Sequence, residues 1–316
     1  MSASEKTLHW QMFFMLVLIL WISACLPNPA PIKGQSPLKA TSRPTEVAAE
    51  PQVTQTHDPE ATETPEECLE IDGRLIEDVY HLPNRARQVP MLVYLPPCYT
   101  DNGEFQYPVA YFLHGYPQDQ MHWIDLGVIE TYERLLIADQ IAPMLLIFPY
   151  QPEPYFTQSD GGSGSLEEVL LDHVLDAVNT TYQVSPDPRE HAILGVSRGG
   201  VWALEVGMRH PETFNIVAAL SPALAYNRPR RAYDPFEIAR TADRLPAYLL
   251  ISSGDREPQF SKEIERFAGI LTQSKVDYLY LRHEGRHEDS AWAGIMDQVL
   301  QFVGGAILES RTIVLE

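Results

Sequence analysis

From about residue 68 onward, the apolar positions of this chain fall into two alternating patterns. Short continuous apolar or β-rich runs occur at 91–95, 108–113, 144–148, His191–Val196, 214–220, 247–252 and 276–281. Runs of that length without polar alternation suit strands covered on both sheet faces. Between them the spacing becomes helical. Ile129, Tyr132, Leu135 and Leu136 share one face of a helix predicted over 129–138. Ser165-Leu166-Glu167-Glu168 reads as a capping box, with Ser165 as N-cap and Glu168 at N3. The helix it opens turns Val169, Leu170, Val174, Leu175 and Val178 inward. Further helices are predicted over 199–209, 260–271 and 290–303. Strands separated by helices of about 10–15 residues indicate βαβ units and a mostly parallel sheet with helices on both faces, an α/β fold.

The first 67 residues do not share this pattern. An apolar run from Met12 to Ile22 follows a polar start containing Lys6. It falls short of the roughly 20 apolar residues that span a bilayer, and its length suits the core of a secretory signal. Ile22-Ser23-Ala24-Cys25 resembles the bacterial lipobox, which implies a signal peptide over 1–24, lipidation of Cys25 and an extracytoplasmic protein anchored to the cell membrane. Residues 25–67 are rich in Pro, Thr, Ala and Glu and hold no aromatic residue, so they read as a disordered tether. About 40 such residues reach a root-mean-square ~35 Å. Cys68 and Cys98 flank the start of the folded region, 68–316, and outside the cytoplasm they are expected to pair. That bridge would close a loop of about 30 residues and add ~3 kcal/mol in the chain-entropy picture.

Composition narrows the function. The chain has 316 residues, 45% hydrophobic and 21% charged, with a formal net charge of −20. The apolar share supports a core and excludes a wholly disordered chain. The acidic balance, with no basic stripe, argues against nucleic acid as a partner. Three cysteines are too few for a disulfide-built miniprotein or a cysteine-rich zinc module.

The chemistry concentrates at one turn. Gly195-Val196-Ser197-Arg198-Gly199 fits G-x-S-x-G and sits between a predicted strand and a predicted helix, the setting of a nucleophile elbow. Ser197 needs a base to take its proton. His287, in the loop after the last predicted strand, would reach the same end of the sheet. Asp255, just past the strand over 247–252, is the expected third member, with Glu257 as the alternative. The oxyanion donors are expected to be the N–H groups of Arg198 and, after the strand ending in His114-Gly115, of Tyr116.

Four stretches carry a resemblance: Val93-Tyr94-Leu95-Pro96-Pro97, Tyr111-Phe112-Leu113-His114-Gly115, Gly195-Val196-Ser197-Arg198-Gly199-Gly200, and Gly285-Arg286-His287-Glu288-Asp289-Ser290-Ala291-Trp292. Together they resemble an esterase family of α/β hydrolases that includes esterase D-like, enterochelin esterase-like and feruloyl esterase enzymes and mycolyltransferases. The resemblance implies the α/β-hydrolase fold and hydrolysis of a small-molecule or glycan ester by a Ser-Asp-His triad, with no metal or cofactor. It leaves open acyl transfer on the same triad, or a non-catalytic envelope binding module on the same fold.

Other features read differently. His283-Glu284-Gly285-Arg286-His287 matches H-E-x-x-H, a zinc-protease motif that requires a helix, but the β-rich run before it and Gly285 within it argue against one. The glycine-rich segment 159–165 reads as a flexible loop, the basic cluster Arg228-Pro229-Arg230-Arg231 as an exposed loop able to meet an anionic substrate, and Trp123 and Tyr155 as candidate pocket walls.

Overall fold

The computed structural model describes residues 72–82, 88–103 and 105–312. The expected signal segment, Cys25, the tether and Cys68 lie outside the described residues. Eight strands form one sheet in the order β1-β2-β4-β3-β5-β6-β7-β8. They are β1 Arg74–His81, β2 Gln88–Leu95, β3 Val109–Leu113, β4 Leu145–Pro149, β5 His191–Val196, β6 Ile216–Leu220, β7 Tyr248–Gly254 and β8 Leu279–His283. β1 and β2 pair antiparallel, as do β2 and β4; every other pairing is parallel. The helices are α1 His122–Asp125, α2 Val128–Ile137, α4 Arg198–Arg209, α5 Pro235–Thr241, α6 Pro258–Gln273, α7 Asp289–Ala293 and α8 Met296–Thr312. Between α2 and α4 runs α3, built of Leu166–Glu168, a wider π-helical stretch Val169–Val174 and Leu175–Thr181.

The four central strands β4, β3, β5 and β6 are buried at every position, which is why their sequences read as unbroken apolar runs. The period-2 pleat divides them between two cores. Val109, Tyr111, Leu145, Ile147, Ile193 and Val217 face α3, α4 and α6 through Val174, Trp202 and Phe267. Ala110, Phe112, Leu146, Phe148, Leu194 and Ala218 face α2 and α8 through Tyr132 and Val299. The strand order reverses at β3, which has β4 on one side and β5 on the other. In open parallel sheets a crevice opens at the carboxyl ends of the strands at such a switch point.

The structure amends several expected elements. The last strand lies at Leu279–His283, three residues later than predicted, because Val276 and Tyr278 pack against the core as the lead-in from α6. The final helix is two helices, with Gly294 capping α7. Ser165 caps α3 by accepting from the Glu167 N–H, but Glu168 reaches back to the Gly164 N–H rather than to that of Ser165. β1 has no counterpart in the predicted set. It is an edge strand carrying Glu77 and Asp78, so its apolar signal is diluted.

Candidate active site

The strand-to-helix turn after β5 is held tight by its glycines. A Cβ on Gly195 would lie 2.1 Å from the Gly199 carbonyl oxygen, and one on Gly199 would lie 2.3 Å from that of Leu113. No side chain fits at either place. The N–H of Ser197 continues the sheet ladder by donating to the Leu220 carbonyl at 2.9 Å. Ser197 itself takes φ 55° and ψ −112°, a costly backbone for a residue with a Cβ. The surrounding turn over-determines this conformation, and it lifts the hydroxyl off the sheet.

His287 meets that hydroxyl. Its Nε2 lies 2.7 Å from Ser197 Oγ, and its Nδ1 lies 2.8 Å from Glu257 Oε2. With Nδ1–H donating to the carboxylate, Nε2 is left as the acceptor for the serine hydroxyl. The imidazole stacks face to face on Phe260, ring centres 3.6 Å apart and planes 11° apart, and Trp292 meets it edge-on at 4.9 Å. These two rings fix the imidazole plane and shield it from water.

The carboxylate on His287 is Glu257, not the expected Asp255. Glu257 is fully buried at the residue preceding α6. Its Oε1 accepts from the Gly254 N–H at 2.6 Å and from Ser221 Oγ at 2.8 Å. Burial alone would raise its carboxyl. The bonds from His287, Gly254 and Ser221 outweigh burial and hold it below the ordinary glutamate range. Asp255 instead turns outward, is about half exposed, and accepts the Gly285 N–H at 2.9 Å. That bond, with Arg256 beside it, lowers its carboxyl. Asp255 therefore braces the loop that carries His287 without touching the imidazole. The chain leaves β7 through Ser253-Gly254, and two further residues bring an acidic side chain back over the strand end; Glu257, not Asp255, stands at that distance and has the longer reach.

The helix-forming H-E-x-x-H reading fails on geometry. His283 ends β8, Gly285 has φ 122°, and the two histidines do not share a helical face.

The exit of β3 packs on the first turn of α4. A Cβ on Gly199 would also lie 2.4 Å from the His114 carbonyl oxygen, so the Gly115-Tyr116 peptide and the Arg198 peptide belong to adjoining segments. His114 is a packed loop residue. Its Nε2 accepts from the Gln151 N–H at 3.0 Å, so Nδ1–H donates to the Gly115 carbonyl at 2.8 Å, and burial pushes its pKa down to about 4. Gly115 N–H donates to His122 Nδ1 at 3.1 Å, and His122 Nε2 lies 3.0 Å from Asp289 Oδ1.

Loops whose position no sequence pattern indicates are stitched together by Arg198. Its Nε donates to the Phe156 carbonyl and its guanidinium to Asn227 Oδ1, each at 3.0 Å. Trp202 Nε1 donates to the same Phe156 carbonyl at 3.0 Å. The glycine-rich segment is tied down as well: Asp160 pairs with Arg230 at 2.6 Å, and the Gly162 N–H donates to Glu167. Two arginines of the basic cluster thus meet carboxylates of their own chain, Arg231 pairing with Glu237 at 2.7 Å, while Arg228 donates to the Asn227 carbonyl at 2.7 Å. Trp123 is wholly buried beneath the site, donating to the Leu113 carbonyl at 3.0 Å, and is core rather than pocket wall. Tyr155 is partly buried against the core. Cys98 is disulfide-bonded; its expected partner, Cys68, lies outside the described residues.

Residues 84–296 match the family described as "Putative esterase". The chain belongs to that family. An endo-1,4-beta-xylanase/feruloyl esterase of Xylanibacter ruminicola is 27% identical over 221 residues, covering 66% of this chain and 28% of the relative. This chain thus spans less than a third of that relative's length. A CE1 ferulic acid esterase from Anaeromyces mucronatus, solved in complex with ferulic acid, superimposes with a TM-score of 0.63 at 20% identity, covering 79% of this chain and 97% of the other. An S-formylglutathione hydrolase from Staphylococcus aureus gives 0.61 at 17% identity, covering 73% and 98%. These likenesses establish the α/β-hydrolase fold.

Proposed function

We propose that this esterase-family chain hydrolyses carboxylic esters through an acyl-enzyme on Ser197, with His287 as base and Glu257 as the third member of the triad. The observation that carries the reading is the unbroken Ser197–His287–Glu257 hydrogen-bond chain, at 2.7 and 2.8 Å, on a strained turn. Ser197 Oγ attacks the ester carbonyl carbon while His287 Nε2 takes its proton. The carbonyl oxygen gains the negative charge and faces the N–H groups of Tyr116 and Arg198, the second of which opens α4 and has no partner within the helix. Collapse of the tetrahedral species breaks the bond to the leaving oxygen, which takes the proton from Nε2. Water then repeats the sequence and frees the acid. Glu257 stays ionised throughout and stabilises the imidazolium.

Aromatic rings border this centre. Tyr116 is 59% and Tyr226 67% exposed. Tyr226 lies 5.4 Å from Phe260, which in turn stacks on His287. A flat aromatic acyl group suits such a border, and the relative named above combines feruloyl esterase with xylanase. A hydroxycinnamoyl ester of a glycan is therefore the substrate class to test first. We also propose that the enzyme is held at the cell envelope through lipidated Cys25.

The decisive test is Ser197→Ala with a short p-nitrophenyl ester and a fluorophosphonate label. Turnover and labelling should both vanish; a mutant that still turns over and labels would end the proposal. Metabolic labelling with a fatty acid, lost in Cys25→Ser, tests the anchor separately.

A further inference from the structure

A second histidine–carboxylate pair lies beside the triad and is not part of it. His122 is 3% exposed, and its ring makes two polar contacts. The Gly115 N–H donates to Nδ1 at 3.1 Å, so Nδ1 carries a lone pair and no proton. Nε2 therefore bears the hydrogen and donates to Asp289 Oδ1 at 3.0 Å. The two pairs are reversed copies of each other. On His287 the carboxylate holds Nδ1 and leaves Nε2 to accept from a hydroxyl; on His122 it holds Nε2 and leaves Nδ1 to accept from a backbone amide. Trp292 stands edge-on to both rings, at 4.9 Å from His287 and 6.0 Å from His122. Asp289 follows His287 by two residues, so one short segment supplies the base and the carboxylate that orients the second imidazole.

The amide that His122 captures belongs to the residue just before Tyr116, whose own N–H is the donor assigned to the oxyanion. We propose that His122 and Asp289 are positioning residues for acyl transfer: the pair takes the Gly115 N–H and thereby fixes the His114–Gly115 peptide, which sets the direction of the next peptide, the one that presents the Tyr116 N–H to the tetrahedral intermediate. This rests on the serine-esterase reading above. The geometry is specific for a neutral imidazole in one tautomer, and Asp289 selects that tautomer. A hydrophobic side chain at 122 would leave the buried Gly115 amide without an acceptor and let the His114–Gly115 peptide turn, carrying the Tyr116 N–H with it. Gly115 adds to the constraint, because a Cβ there would come within 3.3 Å of His122 Cε1.

The test uses His122→Leu, Asp289→Ala and the double variant, with Ser197→Ala as the control for the reading itself. Asp289 is 59% exposed, so its truncation is compatible with an intact fold, which the melting temperature verifies. Removing an oxyanion donor costs about 10²–10³ in kcat, and mispositioning one should cost ~10–100-fold. His122→Leu is expected to lower kcat by that factor with KM within about twofold, and to weaken a trifluoromethyl ketone that forms a tetrahedral adduct by the same factor as kcat/KM. Asp289→Ala should lose about tenfold alone and nothing further on top of His122→Leu, because it acts through the same ring. Wild-type kcat and ketone affinity in folded Asp289→Ala, or losses that multiply in the double variant, would overturn the proposal. Should Ser197→Ala retain turnover, the esterase reading fails instead, and the two failures are distinct.

Discussion

Replacing Glu257 by Gln separates the two acids near His287 more sharply than any truncation. The substituted amide keeps an oxygen where Oε1 accepts from Gly254 and Ser221, so the buried side chain remains anchored. Its NH2 group then faces His287 Nδ1, where a carboxylate oxygen stood at 2.8 Å. Two donors cannot face each other, so the imidazole adopts the tautomer with Nδ1 as acceptor and Nε2 protonated. That nitrogen, 2.7 Å from Ser197 Oγ, can no longer take the serine proton. An acid-to-amide change of this kind in a Ser-His-Asp triad costs about 10⁴ in kcat. We expect a loss of ~10³–10⁴, about 4–5.5 kcal/mol at 1.36 kcal/mol per tenfold. Asp255→Asn keeps an acceptor for the Gly285 N–H and touches no part of the imidazole. Its cost should stay within about fivefold, roughly 1 kcal/mol. The assay is steady-state hydrolysis of p-nitrophenyl butyrate at pH 7.5, with melting curves to show that both proteins fold. Glu257→Gln within tenfold of wild type, or Asp255→Asn falling equally far, would refute the assignment.

Gly195→Ala places a methyl 2.1 Å from the Gly199 carbonyl oxygen and 2.6 Å from the Gly200 nitrogen, so the turn cannot close; loss of fluorophosphonate labelling, with a melting temperature several degrees lower, is the expected result. Glu205 is 1% exposed, and burial, then the neighbouring Glu167 charge, raises its pKa to about 9. In the unfolded chain it titrates near 4.3, so between about pH 4.3 and 9 folding must take up a proton there, and native stability falls as pH rises through that window. Glu205→Gln should therefore gain about 1–3 kcal/mol at pH 8, or ~3–8 °C in melting temperature, with little gain at pH 4; an equal shift at both pH values would contradict the cause. Cys98→Ser removes a disulfide and should cost about 2–4 kcal/mol by denaturant titration, while non-reducing peptide mapping of the wild type should join Cys98 to Cys68.

The central sheet was legible because its burial is extreme. β3, β4, β5 and β6 are covered on both faces, so each left an unbroken apolar run with a boundary within about two residues. Legibility fell toward the edges, where solvent shares the decision. β1 carries Arg74 and Glu77 on exposed positions and the half-buried Asp78, and it is specified by its antiparallel register with β2, from Arg74 opposite Leu95 to His81 opposite Gln88, rather than by its own composition. β8 is bounded by pairing too. Its register runs from Leu279 opposite Leu250 to His283 opposite Gly254, so the partner strand fixes where it begins, and Val276 and Tyr278 pack against the core ahead of it.

The same division runs through the active site. The Ser197 turn was readable because a tight turn leaves a local mark: two glycines whose Cβ atoms would strike backbone, at fixed offsets from the serine. His287 was readable from its place after the last strand. The choice between the two acids the sequence offered was not, because it depends on how far the chain travels after Gly254 before it turns back over the imidazole. Asp255 and Glu257 are two residues apart in one loop and chemically alike. What separates them is a buried hydroxyl, Ser221 Oγ, contributed from the end of β6, and the N–H of Gly254, which together hold a carboxylate in a dry place. A carboxylate enters such a place only where donors already await it, so the donors, not the acid, mark the position. Ser221 also carries a positive φ of 41°, a local strain invisible in the sequence Leu220-Ser221-Pro222. His122 teaches the same lesson: nothing in Met121-His122-Trp123 announces a partner 167 positions away, and only the folded sheet brings Asp289 to it.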